Sequence, residues 1–358
     1  MSLKFLLRAL ATLLAAWAAA SACVALHTPL PWMLGPLITT AILSMTGLPT
    51  ASWTPLRNLG QWTIGSALGL YFTPQVTALV GSMWWAIVLG IVWALALGWG
   101  FGALLYRWHA PRMHGVPASM MRATSYFAGA IGGASEMTLL AERHHARTDL
   151  VAAGHSLRLL IVTLTIPVAL QWSGQHGLDI MPPTVREVDW QGFALLALLT
   201  GAGALVLNRL GRTNPWFIGA MVVSMGLTMA SITLSAVPQF MVNAAQLFIG
   251  VSLGVRFRAD FLHTAPRWLV TVALGTFGLM GICAAFAAFL AWATGLPWVT
   301  LVLGTSPGGI AEMSITAKVL QLGVPVVTAF QVCRLIAVLI LVGPLYGRLY
   351  PPEASVAE

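Results

Sequence analysis

The chain has 358 residues, of which 58% are hydrophobic and only 8% charged. A soluble domain carries about 25% charged residues, so no soluble fold of this length could hide so much apolar surface, and lipid is the expected solvent. The net charge of +8 does not gather into the basic face of a nucleic-acid binder; the basic residues fall one or two per loop, as in membrane proteins.

Apolar runs bounded by Pro, Gly or Arg predict twelve elements. In chain order they cover 5–26, 32–48, 58–72, 78–106, 118–141, 149–172, 190–208, 215–233, 240–256, 267–293, 297–320 and 324–347. The opening stretch MSLKFLLRALATLLAAWAAASACVA resembles a cleavable signal; because a polytopic chain follows, it reads as a retained first helix. Cys23, Cys283 and Cys333 lie far apart in apolar runs and read as small core residues. The polar stretch SGQHGLDIMPPTVREVDW is the expected linker, and the tail PPEASVAE is expected to fray.

The elements repeat. PWMLGPL at Pro31 answers PWFIGAM at Pro215, and QWTIGSALG at Gln61 answers QLFIGVSLG at Gln246, at offsets of 184 and 185 residues. GGASEM at Gly132 answers GGIAEM at Gly308, and HSLRLLIV at His155 answers QVCRLIAV at Gln331, both at 176. The expected organisation is therefore a first repeat over 1–175 and a second over 185–350, a plan common among transporters.

Positive charge then argues for the topology. Twelve full crossings divide the loop Lys and Arg residues eight against eight. If 118–141 and 297–320 dip in and return, fourteen fall on the side of the N-terminus and only Arg186 and Lys318 opposite. The expected fold is an all-α polytopic membrane protein of two inverted repeats, with about ten transmembrane helices and two re-entrant or broken helical segments. Twelve crossings with weak charge bias is the alternative.

The broken segments carry the chemistry. Gly132, Gly133, Gly308 and Gly309 permit unusual dihedrals or close approach, and Ser135, Ser306 and Thr305 could satisfy freed backbone groups. The helix restarting after each glycine pair turns its positive end into the break, where it could hold an anion or the glutamate itself. Glu136 and Glu312 each precede an arginine by 22 residues, Arg158 and Arg334. A lone charge in an apolar helix needs a partner or a watery cavity, so a Glu–Arg pair is expected in each half. It would either lock two helices together or open to bind a charged solute or a coupling proton. Gln61 and Gln246 open helices with glycines four apart, Gly65 and Gly69, Gly250 and Gly254; that spacing points to close helix packing, with a cavity-lining glutamine as the other reading. His144 and His145 sit in a charged loop and read as solvated.

PWMLGPL, the QWTIGSALG/QLFIGVSLG pair, GGASEM and SPGGIAEM together resemble the duplicated AbrB-type proteins of bacterial inner membranes, across nearly the whole chain. The resemblance implies a multi-pass inner-membrane location. With the charge count, it places both termini in the cytoplasm. That family has been labelled both a regulator of gene expression and an ammonia monooxygenase, and is distantly similar to the cation–proton antiporter and anion transporter superfamily. No His/carboxylate cluster has ligand spacing, and no soluble basic module is evident. The expectation is a secondary transporter of a small, anionic solute, ion- or proton-coupled, working by alternating access and not an enzyme. Its partners would be the bilayer and the solute, with no nucleic acid, cofactor or metal; self-association stays open. The alternatives are a membrane protein that regulates gene expression without transport, and a membrane oxidoreductase.

Overall fold

A computed structural model describes residues 3–113, 116–174, 187–212, 214–257 and 265–351. The side chain of Ser135 lies outside the described set, as do Arg186, Arg258, most of the expected linker and the end of the tail.

The described residues form an all-helical molecule. In the first half the helices are α1 (Leu3–Ala25), α2 (Pro31–Met45), α3 (Thr54–Gly69), α4 (Pro74–Ser82), α5 (Trp84–His109), α6 (Ala118–Gly129), α7 (Ala134–Arg143) and α8 (Thr148–Ser173). The second half holds α9 (Trp190–Arg209), α10 (Pro215–Met229), α11 (Gln239–Gly254), α12 (Pro266–Thr294), α13 (Trp298–Thr305), α14 (Ile310–Val319) and α15 (Val324–Leu349). Six of these, α1, α5, α8, α9, α12 and α15, are long and apolar enough to cross a membrane, and α2, α10 and α11 are shorter apolar helices. The expected fourth element breaks at Met83 into α4 and α5.

Local chemistry sets the helix ends. Proline occupies the first turn of α2, α4, α10 and α12, where its missing N–H costs nothing. Asp189 caps α9 by accepting from the N–H groups of Gln191 and Gly192. The halves also share backbone specials. Left-handed residues at His27, Leu30, Gly47 and His145 are matched by Gly211, Asn214, Ser231 and Gln321, at the offsets found in the sequence.

The glycine pairs act as close-packing faces. A Cβ on Gly69 would stand 2.6 Å from the Met221 carbonyl, and Gly65 meets the Phe217 carbonyl of the same helix, α10. Reciprocally, a Cβ on Gly250 would stand 2.7 Å from the Met33 carbonyl, and one on Gly254 2.9 Å from that of Leu37, both on α2. Contacts on both partners advance by four residues in the same direction, so α3 runs parallel to α10, and α2 to α11. This parallelism decides the topology. Between α3 and α10 the chain passes α5, the α6–α7 pair, α8 and α9. If α6–α7 crossed the membrane, α10 would run opposite to α3.

Side-chain contacts show the return directly. The Arg147 N–H, after α7, donates to Thr124 Oγ1 on α6 at 2.9 Å, and His144 stacks on Phe127 with ring centroids 5.2 Å apart. The loop after α7 therefore lies on the side from which α6 entered. With α3 counted among the crossings, ten crossings and two hairpins with the halves inverted fit this packing, and a crossing α6–α7 does not.

Candidate functional site

Each hairpin breaks where its paired glycines stand. The last residues before the breaks take the same extended conformation, φ −53° and ψ 138° at Ala130, φ −59° and ψ 147° at Ser306. Gly133 and Gly309, which cap α7 and α14, are also extended, at φ −69° and −80°. None of the four motif glycines adopts a positive φ, so of the two freedoms glycine offers, unusual dihedrals and close approach, the breaks use the second. They supply room. A Cβ on Gly132 or Gly308 would press into Met137 or Met313, which are fully buried. A Cβ on Gly133 or Gly309 would overlap the carboxylate of Glu136 or Glu312. Each glutamate is the third residue of its half-helix and folds back over the N-cap glycine, the place a capping-box glutamate takes. The spacing G-G-x-x-E-M is thus a packing rule: the first glycine clears the methionine and the second clears the carboxylate.

The expected Glu–Arg pairs are not formed. Among the described residues the one ion pair is Arg147–Asp149, at 2.6 Å on the surface. Arg158 instead donates to the carbonyls of Ala128, Gly129 and Ala130, at 3.4, 3.3 and 2.8 Å. Arg334 donates to the carbonyls of Ser306 and Gly308, at 2.5 and 2.9 Å. Where a helix stops inside a bilayer its last carbonyls are orphaned and carry the negative end of the dipole, and a five-donor guanidinium answers both needs. Thr305 Oγ1 bonds back to the Leu301 carbonyl within its own helix, whereas Ser306 Oγ donates at 3.1 Å to the Leu303 carbonyl, which Pro307 leaves without an intrahelical N–H.

A second residue steadies each arginine. His155 Nε2 meets the Phe127 carbonyl at 2.9 Å, and its Nδ1 accepts from Arg158 at 2.7 Å. Gln331 Nε2 donates to the Leu303 carbonyl at 2.7 Å, and its Oε1 accepts from Arg334 at 2.5 Å. Phe127 and Leu303 are repeat equivalents, as are His155 and Gln331. The bonds fix His155 as the neutral imidazole with its proton on Nε2.

Both breaks open onto one cavity of about 430 Å³. Its wall includes Gly132, Gly133 and Glu136 from the first half, and Gly308, Gly309, Glu312 and Arg334 from the second. Arg57 and Gln61 from α3, Arg212 and Asn214 before α10, and Arg256 after α11 complete its polar face. The N-terminal ends of α7 and α14 therefore face one space, with four guanidinium groups and two carboxylates around it. Glu312 and Arg334 are each only 6% exposed, and Arg334 Nε has no hydrogen-bond partner in the protein.

A family model described as "Transition state regulatory protein AbrB" matches residues 32–350. The chain belongs to the AbrB family. It is 27% identical over 344 residues to a protein of Escherichia coli (strain K12) named as a regulator, AbrB, covering 93% of this chain and 94% of that one. It is 25% identical over 347 residues to the protein YhjN of Bacillus subtilis (strain 168), covering 89% and 87%.

Of the residues singled out from sequence, this AbrB-family chain brings Glu136, Glu312, Arg334, the four motif glycines and Gln61 to the cavity. Arg158 sits behind it, buried against α6, and Ser306 reaches it only through the carbonyl that Arg334 holds. Gln246, the partner of Gln61 in the other repeat, is 3% exposed within α11 and does not line the cavity. In the sequence Arg57, Arg212 and Arg256 read only as loop charges. Arg57 stands one helical turn before Gln61, which places both on one face of α3; that spacing was the readable signal. Among the described residues no three His, Cys, Asp or Glu side chains cluster as metal ligands.

Proposed function

We propose that this AbrB-family protein is a secondary transporter of a small anionic solute, working by alternating access and coupled to an ion or proton gradient. The observation that carries the reading is the single cavity between the inverted halves, into which two half-helix N-termini and the guanidinium groups of Arg57, Arg212, Arg256 and Arg334 converge. Ionisable groups at membrane depth are costly and serve solute or proton pathways by default. Helix N-termini at a mid-membrane break are ready anion sites. The positive-charge bias supports a cytoplasmic position for Arg57, Arg212 and Arg256 and for both termini. The cavity mouth would then face the cytoplasm of a bacterial inner membrane. The family description and the E. coli relative's name favour a second reading, regulation without transport. A transporter can produce a regulatory effect by changing solute levels.

The test is uptake of radiolabelled solute by the purified protein in proteoliposomes, across a panel of carboxylates and inorganic anions under an imposed pH gradient. Saturable flux is expected for at least one of them, reduced at least about tenfold, equivalent to about 1.4 kcal/mol, in Glu136→Gln and in Glu312→Gln. Flux at the wild-type level in both variants would remove the glutamates from the mechanism. An absence of flux for every anion, with a stable protein partner on pull-down, would favour the regulatory reading.

A further inference from the structure

Each helix end at the two glycine breaks carries a counter-charge of its own. The C-terminal ends of α6 and α13 are held by Arg158 and Arg334; the N-terminal ends of α7 and α14 are covered by Glu136 and Glu312. The two kinds of plug differ. Each guanidinium makes several directional bonds to carbonyls and to His155 or Gln331, and Arg158 is shut away from the cavity. Each carboxylate lies on the cavity wall, on a side chain with three rotatable bonds, against backbone N–H groups that any anion could use.

We propose that Glu136 and Glu312 are displaceable internal ligands: a carboxylate or phosphate-like group of the solute takes the helix N-terminus that the glutamate covers, and the glutamate leaves by taking up a proton. This rests on the transport reading of the same cavity and deepens it, since each displaced carboxylate carries one proton with the solute. The proton comes from bulk water and ends on the glutamate oxygen, and no covalent bond to the solute forms.

Two observations beyond the helix ends support it. Arg334, 6% exposed, stands in the cavity wall beside Gly308, Gly309 and Glu312, with its Nε lacking a partner. Its other two nitrogens already hold Ser306, Gly308 and Gln331, and Nε is sealed inside the wall, so what Arg334 offers an incoming anion is the charge of its guanidinium. The cavity, about 430 Å³, exceeds the roughly 30 Å³ share of one water by enough for a small organic anion with its hydration.

The charged groups around the glutamates are Arg57 from α3, Arg212 before α10, Arg256 after α11 and Arg334 on α15. On α8, Arg158 and His155 are committed to α6. Glu142 with Arg143, and Lys318, lie at the far ends of α7 and α14. Four cations facing two carboxylates leave room for a dianion. The repulsion is local: at each helix N-terminus the incoming anion and an ionised glutamate would contest one place, and a proton on the glutamate removes it.

Binding, rather than flux, tests this. The full chain in nanodiscs is titrated calorimetrically with succinate and with sulfate, a tetrahedral dianion that does not titrate, from mildly acidic to mildly alkaline pH. Wild-type affinity should weaken by up to about tenfold per pH unit for each linked proton, with matching proton uptake. Glu136→Gln and Glu312→Gln should bind more tightly than wild type at alkaline pH, with a flatter slope. Gly309→Ala, whose Cβ evicts the Glu312 carboxylate, should flatten it too. A pH-independent wild-type affinity would overturn the proposal, as would an unchanged slope in all three variants. Failure of wild type and variants alike to bind either probe at acidic pH would do the same. If the variants do not fold, the wild-type slope and proton count decide. Normal pH-linked binding without uptake into liposomes would count against transport alone.

Discussion

Replacing Arg334 with leucine should destabilise the protein strongly. The Gly308 carbonyl, held at 2.9 Å, would lose its donor, and the Ser306 carbonyl would keep only the longer bond from Gln331 Nε2, at 3.3 Å. An orphaned buried acceptor costs about 1–3 kcal/mol, and the Gln331 amide oxygen would lose its partner as well. The sum is a sizeable part of the ~5–15 kcal/mol that holds a typical domain together. Purified Arg334→Leu should be poorly folded or melt roughly 10 °C lower, and Arg158→Leu should behave alike. The residue beside each arginine supplies a control. His155→Gln should stay close to wild type, because Gln331 already makes the same pair of bonds in the other half. His155→Leu should not. Melting of Arg334→Leu at the wild-type temperature would show that the break does not depend on its guanidinium.

Gly65→Ala should produce a comparable loss from one added methyl. Its Cβ would meet the Phe217 carbonyl, with the carbonyl carbon at 3.1 Å and Cα at 3.2 Å. These are backbone atoms of α10, which cannot swing aside, so the helices must part. Overpacking of this kind costs about 1–3 kcal/mol, and here it lies between the two halves. Gly250→Ala meets the Met33 carbonyl at 2.7 Å and should match it. Gly278, within α12, has nothing within 4 Å of its Cβ position. Gly278→Ala should be neutral, or stabilising by about 0.5–1 kcal/mol from the helix preference of alanine. Equal melting temperatures for Gly65→Ala and Gly278→Ala would contradict the parallel packing of α3 on α10.

Much of this was legible in the sequence. Apolar runs gave the helices, glycine pairs marked both breaks, and matched stretches at fixed offsets gave the duplication. The distribution of fourteen cations against two argued for hairpins before any contact was visible, because loop charge records which side each loop occupies. The fate of Arg158 and Arg334 was not legible. An acid and a base at equal spacing in both halves invite pairing, and sequence cannot say whether a buried guanidinium will find a carboxylate or a row of orphaned carbonyls. The break creates those carbonyls, and their geometry exists only once the chain has folded. Nor was the cavity legible. Arg57, Arg212 and Arg256 are scattered along the chain and meet because α3, α10 and α11 pack through their glycines. The true reason for GGxxEM was also hidden, since it lies in side chains folding back over the glycines.

The most direct test of the inverted, hairpin-broken halves is the sidedness of single cysteines at Arg112, Arg147 and Lys318, labelled by an impermeant maleimide in intact and opened cells. Hairpins require Arg112 and Arg147 to react from one side of the membrane and Lys318 from the other. Reaction of Arg112 and Arg147 from opposite sides would mean that α6 and α7 cross the bilayer, and the inverted architecture, with its shared cavity, would be wrong.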